Sequence, residues 1–105
     1  MKKSYRKRYI LFEIISDSDI GNDSVENAIK NSIKKLFGEF GLSEANPKLL
    51  RELSKNKVYT LQIDHKYIQK VKVAMASIIE INKKPVIFKT IKVYGTLKKI
   101  KEVIK

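Results

Sequence analysis

The chain has 105 residues, 43% of them hydrophobic, with only four glycines and two prolines, which suits one folded domain with its own core and excludes a disordered chain. It has no cysteine and one histidine, so disulfides, thiolate metal centres, cysteine nucleophiles and histidine-rich metal sites are excluded or disfavoured. Its formal net charge is +12, no apolar run is longer than a strand, and the basic N-terminus lacks a signal-peptide cleavage region, so a cytoplasmic protein without a membrane span is expected.

The charge is unevenly spread. Residues 1–12 carry five basic and no acidic side chains, 13–52 carry five and eight, and 53–105 carry thirteen and three. A polyanion is the natural partner for such ends, and nucleic acid is the commonest polyanion. A lysine-rich genome or a hot habitat would also raise the total. The asymmetry between ends and middle is harder for it to explain.

Residues 1–7 read as a basic arm. From Arg8 the side chains alternate, with Ile10, Phe12 and Ile14 on an uncharged face and Tyr9, Leu11, Glu13 and Ile15 on the other, which is a strand with one face on a core. Ser16–Asp23 is a polar loop whose Asp spacing fails as a calcium loop, because Gly21 is misplaced and no Glu stands twelfth. Asp23 and Glu26 resemble a capping box, and Val25, Ile29, Ile33, Leu36, Phe37 and Phe40 form the apolar stripe of a helix from about Ser24 to Phe40, closed by Gly41.

Pro47 then starts an extended piece, Lys48–Leu53, joined by a polar turn to a second alternating strand with Tyr59, Leu61 and Ile63 inward. At Asp64 the period changes from two to three or four. Ile68, Val71, Met75 and Ile78 make a helical stripe, with Asp64 or His65 as its cap. Asn82–Lys84 is a turn. Pro85–Tyr94 is β-rich, and its alternation breaks near Lys89–Thr90, which predicts a bulge or an edge strand. Thr96 caps a short final helix with Leu97, Ile100, Val103 and Ile104 on one side. The order βαββαβ plus a terminal helix predicts an α+β, ferredoxin-like sandwich: a four-stranded antiparallel sheet with two helices on one face.

No catalytic kit is present. The glycines are too scattered to cradle a phosphate, the Asp64–His65 pair reads as a helix start, and the glycine-rich arginine loop of an acylphosphatase-type enzyme is missing. The pattern of an RNA-recognition motif is also missing, since Tyr59 points inward and base stacking on the sheet loses its platform. Tyr9, Leu11 and Ile15, beside Val58 and Thr60, leave an apolar sheet face that needs a cover, either the terminal helix or another protein. Basic groups remain at both ends: Lys2, Lys3, Arg6, Lys7 and Arg8, then Lys89, Lys92, Lys98, Lys99 and Lys101. Lysine is a point charge suited to phosphates rather than to base edges, which predicts salt-sensitive backbone recognition of RNA. The alternative from another class is a small-ligand regulatory module of the same fold, with the Ser16–Asp23 loop and the first helix holding an amino acid.

Four segments occur in an order that resembles one family: RYILFEI at 8–14, LFGEFGLSEANPKLL at 36–50, DHKYIQKVKVAMASI at 64–78 and VYGTLKK at 93–99. Together they are similar to archaeal ribonuclease P protein component 2, the counterpart of the eukaryotic Pop-five subunit. Tyr94 departs from the small residue expected before Gly95-Thr96. The resemblance implies a non-catalytic subunit of an RNA-based endoribonuclease that removes the 5′ leader from precursor tRNA. The implied partners are the ribonuclease P RNA and the barrel-type protein component 3, with self-association into a heterotetramer. No cofactor is expected on this chain itself, and magnesium is expected on the RNA. Phe37 and Phe40, with the connector after them, are expected to serve protein contacts.

Overall fold

The structure is a computed structural model that describes residues 6–104, so Lys2 and Lys3 of the expected basic arm lie outside the described residues. Along the chain the elements are β1 (Lys7–Ile15), α1 (Asn22–Ala45), β2 (Lys48–Leu49), β3 (Val58–Asp64), α2 (Ile68–Ala76), β4 (Glu80–Ile81), β5 (Lys84–Pro85), β6 (Ile87–Tyr94) and α3 (Leu97–Ile104). Short 3-10 turns occupy Arg51–Leu53 and His65–Tyr67. The main sheet has the order β2-β3-β1-β6, with every neighbour antiparallel. This is the ferredoxin-like arrangement that the alternating strands and amphipathic helices predict.

The core forms where the uncharged faces of β1 and β3 meet the helical stripes. Ile10, Phe12 and Ile14 join Tyr59, Leu61 and Ile63 from the sheet, and Val25, Ile29, Ile33, Val71 and Met75 cover them from α1 and α2. Phe12 is fully buried, its ring 5.5 Å from that of Tyr59 and 5.6 Å from that of Phe88. The Phe12–Tyr59 contact follows from register, because the two residues are direct cross-strand partners. Asp64 caps the turn that leads into α2, accepting from the Lys66 N–H at 2.9 Å.

Four local expectations are corrected. The first helix runs five residues past Phe40, because Gly38 (φ 76°, ψ 177°) breaks it and lets a second helical segment continue to Ala45. That backbone region is essentially reserved for glycine. Gly41 therefore lies inside the helix, and the C-cap is Asn46 in the left-handed region, its N–H donating to Leu42 O at 3.0 Å. The extended piece after Pro47 pairs for only two residues before Leu50 and Leu53 turn under the sheet. Asn82 and Lys83, both at positive φ, close a separate two-stranded ribbon of β4 and β5 that alternation did not reveal.

The fourth concerns Asp23 and Glu26, which do not box the helix start. Gly21 is the N-cap and makes no side-chain cap bond. Instead the two carboxylates hold Arg51, whose Nη2 pairs with Asp23 Oδ1 and with Glu26 Oε1 at 3.1 Å. Glu26 Oε2 also accepts from the Leu49 N–H at 3.1 Å and lies 3.8 Å from Lys30 Nζ. Burial pushes the Glu26 carboxyl up, but the Leu49 N–H, Arg51 and Lys30 outweigh it and hold it below its ordinary 4.5. A depressed carboxyl stabilises the fold fully above its unfolded pKa and loses that contribution as pH falls through the folded one. Stability is therefore expected to decline from about pH 4.5 downward, and Glu26→Gln to flatten that decline. Urea unfolding across the acid range checks this; parallel profiles for the two proteins would remove Glu26 from the effect.

The second face of the sheet is closed over half its length. Tyr9 is 9% exposed and Leu11 1%, and Tyr9 packs in a second cluster with Leu50, Leu53 and Ile100, flanked by Tyr94 and Leu97. Thr60 is fully buried there and donates to Leu53 O at 3.0 Å. The terminal helix is thus a cover, as one of the two sequence readings held, and the Arg51–Leu53 turn is the other. Tyr9 and Leu11 do not form the exposed protein-binding surface expected of them.

Candidate nucleic-acid interface

Register decides which basic groups meet. The start of β1 lies beside the end of β6, since Tyr9 pairs with Tyr94, so Arg6, Lys7 and Arg8 stand at the same end of the sheet as the first turn of α3. Arg6 and Lys7 are exposed and Arg8 is half-buried, with its Nη1 donating to Lys7 O at 2.9 Å. The Arg6 carbonyl accepts from the His65 N–H at 2.9 Å, which ties this end of the chain to the start of α2. Lys98, Lys99 and Lys101 are exposed on α3, around the buried Ile100. Lys92 and Lys89 continue along β6, opposite Leu11 and Glu13. Those of the expected residues that the structure describes therefore form a belt along the β1–β6 side rather than two separate ends.

Two of them carry local company. Lys7 lines a polar cavity of about 340 Å³ with Glu44, Asp64 and Lys66, so acidic groups stand close to its charge. Lys92 Nζ lies 5.3 Å from the Tyr94 ring centroid, a cation–π distance. Sequence reasoning missed Lys70, whose Nζ sits 5.6 Å from the Phe37 ring and 5.1 Å from that of Tyr67. Only the helical spacing of Tyr67 and Lys70 hinted at it; the third partner comes from another helix.

The expected protein-contact residues separate. Phe37 is half-buried against the core, whereas Phe40, beyond the Gly38 break, is 76% exposed. Ile15 is exposed at the open end of the second face, opposite exposed Ile87. Among the described residues no group of three acidic or histidine side chains could hold a metal, and no helix is long and apolar enough to cross a membrane. His65 Nδ1 lies 3.5 Å from Asp64 Oδ1, too long for a good hydrogen bond, so the pair serves the helix start. The Ser16–Asp23 loop is pinned by Lys57 Nζ, just before β3, donating to Ser16 O at 2.6 Å and by Tyr59 Oη of β3 donating to Ile20 O at 3.4 Å.

These features define a basic ferredoxin-like α+β protein in which Arg6, Lys7, Arg8, Lys89, Lys92 and the α3 lysines lie along one side of a half-covered sheet. The chain belongs to the Rpp14/Pop5 family, whose model matches residues 8–105. It is 34% identical over 96 residues to a protein of Pyrococcus horikoshii named ribonuclease P protein component 2, covering 91% of this chain and 80% of that one. A protein of the same name from Methanococcus aeolicus is 34% identical over 97 residues, covering 92% of this chain and 70% of the relative. Among solved structures, a chain in the cryo-EM structure of yeast ribonuclease MRP superposes with a TM-score of 0.71 at 15% identity, over 98% of this chain and 94% of that chain. At that identity the likeness is one of fold.

Proposed function

We propose that this chain is a non-catalytic protein subunit of ribonuclease P that binds and stabilises the catalytic RNA during removal of the 5′ leader from precursor tRNA. The observation that carries the reading is the 34% identity, over 91% of the chain, to a protein named ribonuclease P protein component 2. The physical features support it. A net charge of +12 lowers repulsion between closely packed phosphates, and that task needs charge and shape rather than a catalytic cluster. The belt of Arg6, Lys7, Arg8, Lys89, Lys92, Lys98, Lys99 and Lys101 faces the RNA, with Lys2 and Lys3 of the N-terminal arm assigned to the same role. Magnesium belongs to the RNA. The barrel-type component 3 is the protein partner, in a heterotetramer, and exposed Leu36 and Phe40 offer it apolar side chains.

Reconstitution tests this reading. Archaeal ribonuclease P RNA with the remaining protein subunits is expected to cleave precursor tRNA faster, or at lower magnesium, when this chain is added. Equal rates and an equal magnesium requirement with and without it would overturn the assignment.

A further inference from the structure

In an unbroken strand, residues three apart point to opposite faces, so Lys89 and Lys92 would be split across the sheet. The register of β6 skips one residue: Leu11 pairs with Lys92 while Phe12 pairs with Thr90, leaving Ile91 as a bulge. The bulge restores the parity of the two lysines. Both project from the second face, and both are exposed. Their partners on β1 are two residues apart, which sets the lysines ~7 Å apart along the strand. That spacing is close to the separation of consecutive phosphates along one RNA strand.

We propose that the bulge at Ile91 is a positioning device that assembles Lys89 and Lys92 into one track for consecutive phosphates of a single RNA strand. The proposal rests on the RNA-binding reading above and adds the site, the face and the mode. An open edge and two neighbours shape the track. β6 is the outer strand of the sheet, so the track is open to a ligand along its length. Tyr94, on the same face, holds the Lys92 ammonium over its ring. Glu13, directly across from Lys89, presents a carboxylate to any phosphate that moves inward, which confines the RNA strand to the outer edge. A protein strand adding to this edge is disfavoured, because the bulge interrupts the ladder and lysine is a residue that blocks edge pairing.

The test is the salt dependence of binding to a transcribed archaeal ribonuclease P RNA, with circular dichroism to verify folding. Each lost phosphate contact lowers the slope of log K against log salt by about 0.7 to 0.9. Lys89→Ala and Lys92→Ala are each expected to lower it by that amount, and the double variant by about twice as much. The decisive protein is Thr90→Lys with Lys92→Ala, which keeps the net charge and moves the cation to the residue paired with Phe12, off the shared face. It is expected to behave as Lys92→Ala does. A slope restored to that of the parent would show that charge alone matters and would overturn the positioning role. Unchanged slopes in both single variants would remove the track while leaving RNA binding intact. A parent chain that fails to bind the RNA would overturn both readings.

Discussion

Phe12→Ala is expected to lower unfolding stability by about 3–5 kcal/mol, the usual cost of emptying a buried phenylalanine site. Domains of this size are stable by roughly 5–15 kcal/mol, so the loss is a large fraction of the total. The site cannot collapse easily. Phe12 is on a central strand, fully buried, with rings stacked on both sides and its backbone held in ladders to β3 and β6. Tyr59 and Phe88 would have to move toward each other across that rigid sheet. Urea unfolding measures the effect, and a loss below about 1 kcal/mol would mean that the aromatic stack is not a keystone of the core.

Ile100→Ala is expected to cost about 2–5 kcal/mol, and its effect should be local as well as global. Ile100 is the fully buried anchor of α3, and the helix otherwise reaches the sheet through half-buried Leu97. Without it, α3 should detach and uncover Tyr9 and Tyr94. Hydrogen exchange would then show fast amides in α3 and retained protection in β1 and β3. Undiminished protection of α3 in the variant would contradict the covering role.

The parts of the fold that alternation and helical period encode were legible from local sequence. β1, β3, the Asp64-capped turn, α2 after it and α3 all follow from spacing within a single segment. What escaped depends on partners far away in the chain. Arg51 reaches Asp23 across 28 positions, and that contact, with Glu26 drawn to Leu49, diverts two residues that locally look like a capping box. The Leu50–Leu53 turn leaves the sheet because Tyr9 and Ile100 offer it an apolar surface, which no window around residue 50 contains. The site shows the same division. Its lysines could be named from composition, but their faces could not. The break in alternation predicted a bulge or an edge strand near Lys89–Thr90; β6 is an edge strand with a bulge, and only the pairing with β1 places the bulge at Ile91.

The Gly38 break has a consequence for how this chain can change over evolutionary time. It divides α1 into a segment whose side chains are fixed by the sheet and a segment that carries exposed Phe40 outward. Because the joint lies between them, the second segment takes a new direction and meets the core through Leu42 and Ala45, which leaves Phe40 outside it. Residues such as Phe40 can therefore be exchanged to suit a new partner while Val25, Ile29 and Ile33 stay as they are. The glycine itself has no such latitude, since every alternative would have to adopt a conformation that only it accepts without strain. A joint that only glycine can occupy without strain thus frees the surface beyond it to vary.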